Sequence, residues 1–322
     1  MLSVILIAFM ILLYSFQTLF CRLYNDVYPG REETAPFVYN VFYGVFVSVV
    51  TLAMEGFHIS ASPETVLYGL LNSVVLFTYN IMVIKATGAG SYAIANLSLL
   101  AGGILIPLAQ SVVFYRVPLN FMQYAGVVIM LLSFLFLNAD GLFTGKKDKA
   151  EKKPKKRSLF PVFCALLFLA NGAYGSLFNA QQESMKINAA QSAGVSVQEF
   201  DDEYDTERGE MIILTFLPTA VMGLCLVGAQ NGRNTLSQFR QTKKSALYLF
   251  LCCASAALAI NLLVYVMTLV NVPVLYTVEN GGVLVLSVLY ATWLFKEKIT
   301  PFKAVGLLLA LVSLVLLGAA TA

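Results

Sequence analysis

Residues 272–295 read VPVLYTVENGGVLVLSVLYATWLF, and the only charged side chain in the stretch is Glu279. A run this long and apolar predicts a helix able to cross a hydrocarbon layer, which takes about 20 residues. A carboxyl group at that depth costs about 3 kcal/mol or more unless it is protonated, paired or facing water. Glu279 is therefore expected to face an interior path for a solute or a proton.

The rest of the chain repeats the pattern. Of its 322 residues 58% are hydrophobic and 12% charged, with a mean hydropathy of +0.76. A soluble domain carries about twice that share of charge. Ten apolar runs fall near 2–21, 36–54, 65–84, 91–113, 119–138, 159–180, 211–229, 246–269, 272–294 and 302–320. Backbone groups in lipid must be satisfied within the segment, so these runs are expected to be helices. The alternating ten-residue segments of a membrane barrel are absent. The predicted fold class is all-α, a polytopic membrane protein of ten transmembrane helices. Lys85-Ala-Thr-Gly-Ala-Gly is read as the joint between the third and fourth runs, and Asn271, Val272 and Pro273 as a tight turn between the eighth and ninth. The first run has no basic leader and no small-residue cleavage site, so it is read as a retained helix.

Lys and Arg are distributed unevenly between the loops. Those after odd-numbered helices hold 18 of the 21, eight of them in the tract KKDKAEKKPKKR at 146–157; the others hold Arg116, Lys186 and Arg208. The positive-inside rule places the odd loops in the cytoplasm and both termini outside. The acidic segment EFDDEYDTERGE, residues 199–210, then falls outside too. The basic tract is read as a linker and orientation signal, with binding of anionic lipid headgroups as the other reading.

The tract divides the chain in two: 1–145, a linker at 146–158, and 159–322. Asn80, Val83 and Thr87 of the first part match Asn261, Val264 and Thr268 of the second, and further on Gly102 matches Gly282 and Gly126 matches Gly306. Five helices per half is an odd number, so the second half is expected to lie upside down relative to the first, as in transporters built from inverted repeats.

These parts, in this order, carry a resemblance. A third helix ending IKATGAGSYA (84–93), a fourth running to Phe114-Tyr115-Arg116, and a closing helix with Gly126 look like one repeat of the drug/metabolite transporter superfamily. The second copy, ending WLFKEKIT (293–300) with Glu297 at the usual acidic place and followed by Pro301 and Gly306, resembles the EamA-like branch. Gly102-Gly103 and Gly281-Gly282 stand where that branch commonly has a proline, and Val117 stands where the first copy would carry an acid. The resemblance implies two inverted five-helix halves and export or exchange of metabolites such as amino acids, sugars or drugs. It also implies a multi-pass protein of a bacterial plasma (inner) membrane. Its members are described with cytoplasmic termini, opposite to the charge count.

Polar residues inside the runs are the candidate site. Glu279 would release and take up a proton or pair with a cationic group. Tyr276 shares its helix face and Asn280 adjoins it. Asn261 and Tyr265 lie one turn apart on the eighth helix, and Asn80 is the counterpart of Asn261. Asn96 lies inside the fourth helix; Tyr14 and Gln17 share a face of the first, and Asn171 and Tyr174 one of the sixth. Amides and phenols around one acid suit a small polar or amphipathic substrate; interhelical hydrogen bonding, worth about 0.6 kcal/mol per pair, is the plainer role of each. Gly102, Gly103, Gly281 and Gly282 are read as hinges or close-packing points. The five cysteines form no C-x-x-C pair and read as packing residues. There is no phosphate-cradling G-x-x-x-x-G-K-[ST] loop and no H-E-x-x-H or G-x-S-x-G. No cofactor, metal or nucleic acid is expected. The expected partners are a small-molecule substrate, membrane lipid and protons. A secondary transporter working by alternating access is the first reading, with a lipid flippase, a polytopic membrane enzyme and a receptor as alternatives.

Overall fold

A computed structural model describes residues 2–114, 120–143, 159–196, 205–267 and 272–319. The basic tract 146–157 with its linker, Arg116, Val117, Asn271 and residues 199–204 of the acidic segment lie outside the described residues, as do the side chains of Val272, Pro273 and Tyr276.

The described residues form ten long helices: α1 (Leu2–Val27), α2 (Ala35–Met54), α3 (Pro63–Ala89), α4 (Tyr92–Val113), α5 (Phe121–Phe143), α6 (Phe160–Ala193), α7 (Arg208–Asn231), α8 (Lys243–Met267), α9 (Val272–Trp293) and α10 (Pro301–Ala319). A short helical segment, Thr235–Gln238, lies between α7 and α8. Seven of the ten, α1 to α4 and α6 to α8, are long and apolar enough to cross a membrane. The polarity of the surface agrees. Val4, Ile5 and Phe9 on α1, Leu247 and Phe250 on α8 and Leu308 and Val315 on α10 are exposed, while Ser15, Thr18, Asn40, Ser48, Thr51, Asn72 and Asn80 are buried. Water would favour the reverse arrangement; hydrocarbon favours this one, because polar side chains then satisfy one another between helices. The chain is a multi-pass membrane protein by this criterion.

Helix ends follow from local chemistry. Ser62 caps α3 by accepting from the Thr65 amide at 3.3 Å, with Pro63 in the first turn. Ser91 caps α4 by accepting from the Ile94 amide at 3.4 Å. Gly194 ends α6 in the left-handed conformation at φ 71°, which costs glycine nothing.

Two expected boundaries are corrected. The Lys85–Gly90 joint is helical up to Ala89, which leaves Gly90 and Ser91 as the link. Thr87 continues the helix by donating to the Val83 carbonyl at 2.7 Å, and Gly88 is needed because a Cβ there would meet the Asn25 side chain at 2.9 Å. The sixth helix runs thirteen residues beyond the expected Ala180. Its polar end is held by the buried Gln181, which donates to Thr65 Oγ1 at 2.8 Å and to the Thr206 carbonyl at 3.0 Å. In addition, α4 carries a proline after all, Pro107, one turn beyond the glycine pair.

Packing joins residues before the tract to residues after it. α1 lies on α8 and α9, α2 on α7 and α8, α3 on α6 and α7, α4 on α6 and α9, and α5 on α10. The main core gathers Cys21, Tyr24, Tyr39, Tyr43, Leu76 and Leu97 from the first five helices with Leu167, Phe216, Cys252, Ala256 and Leu284 from the last five.

Candidate functional site

Glu279 lies on α9, seven residues into the helix, and is 8% exposed. Among the described residues no basic side chain forms an ion pair with it and none donates a hydrogen bond to it; the two ion pairs present are Arg22–Asp26 and Arg22–Glu297. Tyr79 of α3 lies within the range at which the carboxylate charge acts on its phenol. Tyr79 in turn stacks on Tyr174 of α6, with ring centroids 6.2 Å apart. Tyr174 packs on Phe178 at 5.2 Å, and both Tyr79 and Tyr174 lie within electrostatic reach of Tyr43 on α2. Tyr43 stacks on Tyr39 at 5.0 Å and meets Phe216 at 5.3 Å. These aromatic side chains come from α2, α3, α6 and α7.

Tyr79 also lines a narrow crevice with Gln17, Thr18, Cys21, Tyr39, Asn80 and Val83. Gln17 Nε2 donates to the Tyr43 hydroxyl at 2.8 Å. Asn80 Nδ2 donates to Asn40 Oδ1 at 2.8 Å, and Asn40 Nδ2 donates to the Pro36 carbonyl at 2.8 Å. The Tyr39 hydroxyl and the Cys252 thiol lie 3.4 Å apart, and that thiol also meets the Gln17 carbonyl at 3.2 Å.

The remaining candidates fall into three groups. Asn96 and Asn171 bind interhelically: Asn96 Nδ2 donates to Ser287 Oγ at 3.1 Å, from α4 to α9, and Asn171 Nδ2 donates to the Leu99 carbonyl at 2.7 Å, from α6 to α4. Asn261 Nδ2 donates to Thr51 Oγ1 at 3.1 Å and to the Ala257 carbonyl at 2.8 Å. Tyr14 packs against the main core and a smaller cluster around Met10, Val266 and Leu275, and Asn280 is half-buried next to Glu279. Tyr265 is 53% exposed on α8. Of the glycines, Gly102 has Phe168 backbone where a Cβ would stand, at 2.1 Å; Gly103 meets Asn171 and Gly282 meets Ile11. Gly281 has nothing within 4 Å of that position. The cysteines are all free, four of them buried and Cys225 exposed. Among the described residues no three His, Cys, Asp or Glu side chains gather as a metal site would require.

Tyr39, Tyr43, Tyr79 and Cys252 belong to this region but were not among the sequence candidates. Tyr79 adjoins Asn80, and Tyr39 and Tyr43 share a face at i, i+4; these spacings were the available signals.

Two further carboxylates hold helix starts. At the end of the molecule formed by the odd loops, Glu297 accepts from Ser91 Oγ at 2.7 Å and from the Tyr92 amide at 2.7 Å. Arg22 stands 3.9 Å from Glu297, covers the Phe295 ring at 4.2 Å, and donates to the Thr87 and Gly90 carbonyls. At the opposite end, Glu207 accepts from Ser62 Oγ at 2.8 Å and from the Ser62 amide at 2.9 Å.

Against known proteins, no family model matches the chain and no curated protein matches it. Among solved structures fifteen chains match. One, a crystal structure of a protein, aligns over 98% of this chain and 95% of its own length with a TM-score of 0.51 and 15% identity. At that identity the likeness is one of fold alone.

Proposed function

We propose that the chain is a secondary transporter of the EamA-like kind, moving a small polar or amphipathic solute by alternating access between two inverted five-helix halves. The observation that carries the reading is Glu279: a buried carboxyl on a membrane helix, with no cationic partner among the described residues, and within electrostatic range of Tyr79, which lines a polar crevice. Such a group is costly, and its use is in binding a solute or exchanging a proton.

The helix packing supports the inverted arrangement. Exchanging α1–α5 with α6–α10 turns α1 on α8 into α3 on α6, α1 on α9 into α4 on α6, and α2 on α8 into α3 on α7; α2 on α7, α4 on α9 and α5 on α10 map onto themselves. The pairs between the halves are unchanged by that exchange, which is compatible with a two-fold relation between them, although the pairs within the first half, α1 with α3, α2 with α3 and α3 with α4, are not all repeated in the second. The acid then lies at the seam, where rocking of one half against the other would expose it to each side in turn.

The test is uptake of a pooled, labelled metabolite set into proteoliposomes, with and without a proton gradient, for wild type and Glu279→Gln. Gradient-dependent flux in wild type and its loss in the variant support a coupling acid. Equal flux of the same compounds through both proteins removes Glu279 from the mechanism. If a folded protein transports nothing, the receptor and enzyme alternatives gain.

A further inference from the structure

The outward face shared by α2 and α8 joins an apolar wall to a cationic rim. Phe42, Val45 and Val49 of α2 and Leu247 and Phe250 of α8 are exposed. The two helices meet there through Phe46 and Phe250, whose rings stand edge-on with centroids 5.7 Å apart. On a multi-pass protein such exposed apolar side chains face acyl chains. Lys243 opens α8 and precedes Leu247 and Phe250 by four and seven residues, so the three share one side of the helix. Seven residues rise about 10 Å, within the about 15 Å that one leaflet contributes to a hydrocarbon layer of about 30 Å. A lipid lying along Leu247 and Phe250 therefore carries its headgroup to the level of Lys243.

The turn before α8 adds a cation to the same corner. Phe239 packs edge-on against Phe42 with centroids 6.1 Å apart. Arg240 follows it, held by its amide donating to the Ser237 carbonyl at 3.2 Å. Thr242 and Ser245 fix where α8 starts: the Thr242 amide donates to Ser245 Oγ at 2.9 Å, and the Ser245 amide donates to Thr242 Oγ1 at 3.2 Å. Lys243 and Lys244 thus stand in the first turn, where the helix adds its own positive partial charge. Arg240, Lys243 and Lys244 are exposed, and none of them forms an ion pair among the described residues. The adjoining α1–α2 loop is tied to this turn through Gln238 Oε1, which accepts from the Arg31 amide at 3.1 Å and the Thr34 hydroxyl at 3.0 Å. That loop brings Glu32 and Glu33, and with Arg31 counted the cations of the corner still outnumber its acids.

Like charges gathered at a helix start repel one another, and the helix dipole adds to the cost. A phosphate at headgroup depth compensates them, and the long stems of Lys and Arg let their charged ends reach it while staying in the wet interface. A zwitterionic headgroup brings an ammonium along with its phosphate and cancels part of that gain. We infer that the outward face of α2 and α8 is a binding site for an anionic phospholipid, its phosphate on Arg240, Lys243 and Lys244 and its acyl chains along Phe42, Leu247 and Phe250. The site lies outside the helix bundle and is independent of the transport reading.

The experiment is native mass spectrometry of the full chain in detergent with dioleoylphosphatidylglycerol and dioleoylphosphatidylcholine at equal concentrations. The two lipids share their acyl chains, so the ratio of bound species reads the headgroup alone. Wild type is expected to favour phosphatidylglycerol by about tenfold or more, as attraction by several cations implies. Arg240→Gln, Lys243→Gln and Lys244→Gln together are expected to bring the ratio close to one. The same change of charge in the linker, Lys152→Gln, Lys153→Gln and Lys155→Gln, is expected to leave it in place. The substituted side chains at 240, 243 and 244 are exposed, and the wild-type comparison needs no variant. No headgroup preference in wild type, or an equal loss of it in both triple variants, would overturn the proposal. So would loss in the linker variant alone. Glycerol phosphate added at the lipid concentration is expected to displace nothing; displacement by it would show a site for anions that takes no acyl chain, which also overturns the assignment.

Discussion

At the scale of single residues, two carboxyls illustrate how position sets behaviour. Glu279 is buried on α9, and its replacement by glutamine keeps shape and removes charge. The variant is expected to fold, with Tm equal to or above that of wild type, because a buried uncompensated acid is a cost in the folded state; thermal unfolding of both proteins in detergent checks this. Glu55, at the end of α2, is outside the spans. Partial burial first, and then the nearby Glu210 and Asp205, raise its pKa above the ordinary carboxylate value. The folded protein therefore holds that proton more tightly than the unfolded chain, so the Glu55 contribution to stability is most favourable at low pH and declines as pH rises from the ordinary carboxylate range through the raised value. Carbon-13 NMR of labelled glutamate is expected to show a Glu55 midpoint above the ordinary carboxylate value, moving down in Glu210→Gln. A midpoint unmoved by that substitution would remove Glu210 from the causes and leave burial and Asp205. Glu279 was legible from sequence because an acid in an apolar run is conspicuous. Tyr39, Tyr43 and Tyr79 were not, because a membrane protein with 23 Phe and 16 Tyr offers many aromatics and spacing alone does not say which face a neighbour.

At the scale of elements, the α3–α4 hairpin is held at both ends by carboxylates from the second half of the chain: Glu207 on Ser62 at one end and Glu297 on Ser91 at the other. If the halves rock, these contacts belong to opposite phases of the cycle. Glu297→Gln removes charge from two hydrogen bonds, about 1–2 kcal/mol at a partly buried position, enough to shift a two-state population by about tenfold. Labelling of the buried crevice residue Cys21 by a membrane-impermeant maleimide is expected to quicken from the odd-loop side in Glu297→Gln and from the other side in Glu207→Gln. Equal changes from both sides would make the contacts simple helix caps. Between α4 and α6, Gly102 faces a backbone carbonyl that cannot move aside, so Gly102→Ala is expected to cost about 1–3 kcal/mol and lower Tm, whereas Gly281→Ala, with open space at its Cβ, leaves Tm unchanged. The sequence showed the glycine pairs but not which member packs, since that depends on Phe168, Asn171 and Ile11 from other helices.

For the whole molecule, helix number was readable because apolar run length is set by bilayer thickness and little else. The extents of α3 and α6 were not, because their last turns are held by tertiary contacts, Gly88 against Asn25 and Gln181 against Thr65, which no local pattern announces. The pairing of helices across the linker is likewise a long-range property. It implies that neither half buries its polar side chains alone: Asn80 is satisfied within α2 and α3, but Thr51, Thr65 and Ser91 find partners on α8, α6 and beyond α9. Residues 1–145 expressed without 159–322 are expected to be degraded or aggregated, and co-expression of the two pieces to restore a folded complex, measured by monodispersity on size exclusion. A stable, monodisperse first piece would contradict that dependence.

The length of α6 has a practical consequence. Thirty-four residues at about 1.5 Å each make a rod of about 51 Å, against a hydrocarbon layer of about 30 Å, so several turns around Gln181, Gln182 and Ser192 stand clear of the lipid on the side that also carries both ends of the chain. That overhang is a built-in marker of sidedness. A single reactive handle placed at the exposed Ser192 would be modified by an impermeant reagent in intact cells if the distribution of lysine and arginine governs insertion, and only after the membrane is broken if it does not. The same rod, projecting from one face of a detergent belt, gives a small particle of otherwise featureless outline a landmark by which top and bottom are told apart in electron micrographs.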